Sequence, residues 1–109
     1  MDLVENIYKL TQNFPKEELY GLTSQIRRAA VAIPTNITEG YQRNHKKEYI
    51  QFLYIAKSSA SELETLLNIS ERLNLTISVE FTNAKSLLTE ILKMLTALIS
   101  KLKPPTTIP

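Results

Sequence analysis

The sequence predicts an all-α protein: an antiparallel up-down-up-down four-helix bundle with a proline-kinked second helix and a short first helix. Two observations carry this. Apolar residues recur at three- and four-residue spacing through four segments, the period that lines up one face of a helix, and no segment shows the two-residue alternation of a half-buried strand. The connectors between segments are short, and short connectors make consecutive helices antiparallel neighbours. The expected helices run over about 2–13, 22–43, 46–74 and 77–103 in one domain, followed by a flexible tail over 104–109.

In the first segment, Leu3, Ile7, Leu10 and Phe14 share one face, and Pro15 ends the helix because the residue before a proline is pushed out of the α region. A connector follows, with room for one helical turn over 16–19. Thr23 or Ser24 is placed to cap the second helix. That helix aligns Leu22, Ile26, Ala29, Ala30, Ile33, Ile37 and Tyr41, and carries Pro34 in its middle. An interior proline costs roughly 3 kcal/mol, so its surroundings must stabilise it. The small residues Ala29, Ala30 and Ala32 let another backbone come close there.

The third helix has one stripe of Tyr49, Leu53, Ala56, Ala60, Leu63 and Leu67, and beside it a second of Phe52, Ile55, Ser59, Leu66, Ile69 and Leu73. A turn at Asn74 leads to the last helix, with Thr76 or Ser78 as its expected cap. Phe81, Ala84, Leu88, Ile91, Leu95, Leu98 and Leu102 form its seam, which Leu87, Leu92, Met94 and Ile99 widen. Two helices thus offer more apolar surface than a four-helix monomer needs. A thick core would absorb it, but a subunit interface is the favoured reading, because such area left exposed invites aggregation.

Composition excludes several classes. There is no cysteine and one histidine, His45, so no metal centre is expected and no cofactor is implied. No apolar run approaches the roughly 20 residues that span a bilayer, and the N-terminus lacks the basic-then-apolar pattern of a signal peptide. A cytoplasmic protein without membrane association is expected. No phosphate loop, nucleophile elbow or Cys/His pair appears, so enzymatic activity is not expected.

Two sets of residues invite a functional reading. Arg28, Asn36 and Glu39 fall near one line beside Pro34. They form either a polar cluster at a subunit contact or, with Arg43, an ordinary i,i+4 surface pair worth about 0.3–0.5 kcal/mol. Arg27, Arg28, Arg43, Lys46, Lys47 and Lys57 outnumber the acids of their stretch, although the net charge of the chain is only +2. A phosphate backbone responds to such a local cluster rather than to total charge. In a ring of identical subunits the cluster would repeat around one rim.

Several motifs carry a family resemblance. They are Tyr8-Lys9-Leu10-Thr11 with Phe14-Pro15, then Tyr20 through Ala30, then Ile33-Pro34-Thr35-Asn36-Ile37 with Glu39-Gly40 and Arg43. Phe52-Leu53, Ile55-Ala56, Glu62-Leu63-Glu64-Thr65, Met94-Leu95 and Leu98-Ile99 extend it over nearly the whole chain. On these the chain resembles the four-helix-bundle proteins encoded in intervening sequences of bacterial 23S ribosomal RNA genes. It is also similar to their relatives, the accessory variability determinants of diversity-generating retroelements. The resemblance implies a homopentameric ring with no known enzymatic activity and, in the retroelement relatives, a basic surface that works with a reverse transcriptase and nucleic acid. Departures are Ala32 where serine is usual, Thr38 where alanine is, Lys57-Ser58 where Arg-Gly is, and a shorter first helix.

The expected function is therefore that of a non-enzymatic oligomer binding RNA or DNA through backbone phosphates. The rival is a protein-interaction scaffold or accessory subunit, for example for a reverse transcriptase, that docks a protein partner through the apolar surplus and the Asn36–Glu39 patch without binding nucleic acid itself.

Overall fold

The computed structural model describes residues 2–104. The chain forms four helices, α1 (Asp2–Gln12), α2 (Leu22–Tyr41), α3 (Lys46–Arg72) and α4 (Ser78–Leu102), with a single 3-10 turn at Lys16–Glu18. No strand occurs among the described residues. Except for the exposed Pro104, the expected tail lies outside them.

The four apolar faces meet along one axis of a bundle measuring 53 × 26 × 20 Å. Leu3, Ile7 and Leu10 of α1 and Ile26, Ala30 and Ile33 of α2 are buried, as are Leu53, Ala56, Ala60, Leu63 and Leu67 of α3. Phe81, Ala84, Leu88 and Leu95 of α4 complete the core. Every one of these sits at the three-four spacing that the helical period demands. Tyr41 departs from it. Grouped by spacing with the buried face of α2, it is 75% exposed, because α2 ends there and the ring projects past the core to meet Tyr49 edge-on at 6.0 Å.

Each turn brings the end of one helix against the start of the next. Thr11 of α1 meets Arg27 of α2, Gly40 of α2 meets Tyr49 and Phe52 of α3, and Glu71 of α3 pairs with Lys85 of α4. α1 also closes on α4, where Phe14 packs on Phe81 at 6.0 Å and Asn13 donates to both carboxylate oxygens of Glu80.

The helix ends differ from expectation. α2 starts at Leu22 with Gly21 in the capping position, so Thr23 lies buried inside the first turn and neither it nor Ser24 caps. The half-buried Leu22 packs on the core and draws the helix start ahead of the hydroxyls. At α4 the capping position is Ile77, and Thr76 instead donates to Glu80 at 3.1 Å. α3 stops at Arg72 because Asn74 takes a left-handed conformation, φ 54°. The N–H of Leu75 then reaches Ser70 O and that of Asn74 reaches Glu71 O, the paired bonds of a Schellman motif.

α2 continues through Pro34. On the two residues after it, Thr35 donates to Val31 O at 2.8 Å and Asn36 to Ala32 O at 2.7 Å, so carbonyls of the turn that the proline crowds gain side-chain donors.

Gly40 is buried between α2 and α3. A Cβ added there would lie 2.6 Å from Phe52 Cβ and 3.1 Å from Tyr49 Cδ1. The first of those atoms is fixed to backbone, so only glycine permits this approach.

Candidate nucleic-acid interface

The passage from α2 to α3 is cationic and open to solvent. Every residue from 41 to 48 is exposed, including Arg43, His45, Lys46 and Lys47. The close contact at Gly40 lies directly beneath it and positions Arg43. The Arg43 guanidinium sits 4.9 Å from the Phe52 ring centroid and donates from Nη2 to Glu39 Oε1 at 2.7 Å. Lys46 and Lys47 open α3 and form no ion pair among the described residues. An exposed cation without a counter-ion is one that can meet a phosphate at little desolvation cost.

α4 brings further charge to this half of the bundle. Lys101 lies in its last turn, and Lys103 Nζ stands 5.2 Å from the ring centroid of Tyr54, two turns into α3. The sequence reading passed over both lysines. The signal that could have found them is helix length: α4 has 25 residues against 27 in α3, so its end returns to the neighbourhood of the α3 start.

The remaining predicted cations stand elsewhere. Arg27 is half-buried beside α1, with Nε donating to Thr11 Oγ1 at 2.8 Å and the guanidinium 4.5 Å from the Tyr8 ring centroid. Arg28 is exposed on α2, thirteen residues before its end at Tyr41, or about 20 Å of helix. Lys57 is half-buried in a shallow groove of α3 and α4 with Glu64 and Lys93. Of the six, Arg43, Lys46 and Lys47 adjoin at the α2–α3 turn, while Arg27 and Arg28 lie together on another face, about 20 Å of helix away.

The polar set beside Pro34 is not knit together within one chain. Asn36 spends its amide on Ala32 O, Glu39 pairs with Arg43, and Arg28 bonds to neither. The Glu39 and Arg43 side chains are 50% and 42% exposed, so their pair is a surface one.

Among the described residues no group of three or more His, Asp or Glu is placed to hold a metal ion, and no helix is long and apolar enough to cross a membrane.

The profile of the 23S rRNA-intervening sequence protein family matches residues 1–97. The chain belongs to that family. A solved structure from Bacteroides thetaiotaomicron, described as a protein with unknown function from the S23 ribosomal protein family, is similar at a TM-score of 0.83. It is 26% identical, and the alignment covers 91% of this chain and 89% of that one. No curated protein matches the chain. Within this 23S rRNA-intervening sequence protein, Arg43, Lys46 and Lys47 fall inside the matched segment, whereas Lys101 and Lys103 lie beyond it.

Proposed function

We propose that this family member is a non-enzymatic oligomeric bundle that binds nucleic acid, RNA or DNA, without base readout. The binding surface is the end where α2 passes to α3. The observation that carries this is the adjacency of exposed Arg43, Lys46 and Lys47 at that turn, where Glu39 and Glu48 are the acids of the same stretch, with Lys101 and Lys103 at the α4 end on the same half of the bundle. Phosphate contacts need point charges on a fixed base, and Gly40 with Phe52 provides the base. No recognised base-reading motif accompanies them, so the binding follows charge.

Self-association is part of the proposal, with the pentamer as the state that the resemblance favours. Ile55 and Ile69 of α3, Leu73 just after it and Met94 of α4 are exposed, and covering them would remove apolar area from water while repeating the basic end around a rim.

The test is sedimentation velocity with a labelled structured RNA at low and physiological salt, alongside fluorescence anisotropy over a salt series. A ring-sized species should carry the RNA, and with about three phosphates contacted per copy log affinity should fall against log salt with a slope of about −2 to −2.7 per engaged copy. Arg43→Glu, Lys46→Glu and Lys47→Glu combined should abolish binding and leave the sedimentation of the protein unchanged. Undiminished RNA affinity in that triple variant would sink the assignment.

A further inference from the structure

A second surface lies away from the basic end. An open groove of about 680 Å³ runs along the outer face of α2, bordered by α1 and by the segment after the 3-10 turn. Tyr8, Leu19, Tyr20 and Val31 supply its apolar walls, and all four are exposed, Tyr20 at 93%. Ala32 keeps one stretch of the floor shallow.

Its charge is one-sided. Arg27 and Arg28 line it and no Asp or Glu does. Arg27 is half-buried, has one N–H on the Thr11 hydroxyl and its guanidinium over Tyr8, and pairs with no carboxylate among the described residues. A guanidinium partly withdrawn from water gains most from an anion that reaches it, because the low local dielectric strengthens the pair. From Thr23 to Asn36 the α2 wall is about 20 Å long, the length of a helix of some thirteen residues.

We propose that this groove binds a short acidic amphipathic helix of a partner protein. The apolar residues of the helix, at spacings i, i+3 or i+4, and i+7, rest on Tyr8, Leu19 and Val31. Its carboxylates meet the planar forks of Arg27 and Arg28. Of the two rings in the groove, Tyr8 is covered by the Arg27 guanidinium, which leaves Tyr20 alone for base stacking beside the aliphatic Leu19, Val31 and Ala32 and favours a helix over single-stranded RNA as the occupant. The inference is independent of the nucleic-acid reading, since the two surfaces share no residue.

The test uses the full chain as bait for a random sixteen-residue peptide library displayed on phage. The enriched sequences should combine helical apolar spacing with flanking Asp or Glu. The best of them, made synthetically with a fluorescein label, should bind at least tenfold more weakly to Arg28→Glu and to Tyr20→Ala, both exposed positions whose change leaves the fold intact. Lys47→Glu should not weaken it. Exchanging the carboxylates of the peptide for lysines should restore binding to Arg28→Glu. Four results would each overturn the proposal: no enrichment; enriched peptides without acids; displacement of the peptide by polyuridine RNA, which would make the groove a nucleic-acid site; or dissociation of an oligomer by Arg28→Glu without peptide binding, which would make it a contact between copies.

Discussion

The turn from α2 to α3 and the turn from α3 to α4 each join long helices at opposite ends of the bundle, yet they are built on different physics. At the α3–α4 turn the chain closes on itself. Asn74 adopts the left-handed conformation, Leu75 packs on the core, and Glu80 collects donors from both Asn13 and Thr76. Glu71 meets Lys85 across the helices. Polar groups there find partners within the molecule. At the α2–α3 turn the tight element lies one step inside, at Gly40, and the residues beyond it are solvated and cationic. At one end Glu71 and Glu80 are taken up by Lys85, Asn13 and Thr76, while at the other Lys46 and Lys47 stand outward without a carboxylate partner among the described residues. That difference is why the proposed binding surface is placed at the second end.

Substitutions at the two turns sharpen the contrast. The largest effect is expected at Gly40→Ala. Alanine has about 1 kcal/mol more helix propensity than glycine, but the added Cβ collides with Phe52, and overpacking costs typically 1–3 kcal/mol before the helices part. A net loss of up to about 2 kcal/mol should appear in thermal melts, at roughly 4–8 °C per kcal/mol for a domain of this size. A raised melting temperature would show that α2 and α3 do not meet this closely. Next comes Asn74→Ala, which keeps the Cβ in the left-handed turn but loses the polar amide by which asparagine tolerates it, and should cost about 1 kcal/mol, whereas Asn74→Gly should be neutral or slightly stabilising. Equal effects of the two substitutions would remove the left-handed turn from the account.

Smaller still is Lys85→Gln, which breaks a pair about one-third exposed and should lose less than about 1 kcal/mol, with the loss fading at high salt in urea titrations. The smallest is Gly21→Ala. Its new Cβ would meet only Glu18, at 3.6 Å, and its φ is negative, so the melt should scarcely move. Gly21 and Gly40 both stand at an end of α2, so finding them equally sensitive would break the reading of Gly40 as a packing residue.

Much of this was legible in the sequence because helical periodicity is a local signal. Leu3, Ile7, Leu10 and Phe14 of the first segment are all buried, and so is the stripe from Leu53 to Leu67, since a period of three and four fixes which residues share a face. The helix boundaries differ from expectation by at most two residues, and at the end of α3 it is the turn at Asn74 that decides. Features depending on how helices rotate and overlap were not legible. Nothing in the run of residues says that Lys103 comes to Tyr54, that Gly40 faces Phe52, or that Lys57 turns toward α4 while Arg27 turns toward α1. The six predicted cations were close in number along the chain, and the bundle divides them among different faces.

The shortness of α1 has a consequence for how the molecule breathes. Its 11 residues present four buried side chains, Leu3, Ile7, Leu10 and Thr11, while α3 alone presents seven over 27 residues. Opening α1 therefore exposes little compared with parting α2 from α3, and the free energies of the two events should differ accordingly. In amide hydrogen exchange, the α1 protons should be replaced through a sub-global opening that leaves the rest of the bundle folded. The protons flanking Leu53 and Ala56 should wait for global unfolding, so the pair of helices carrying the basic turn forms the slow-exchanging unit of the protein.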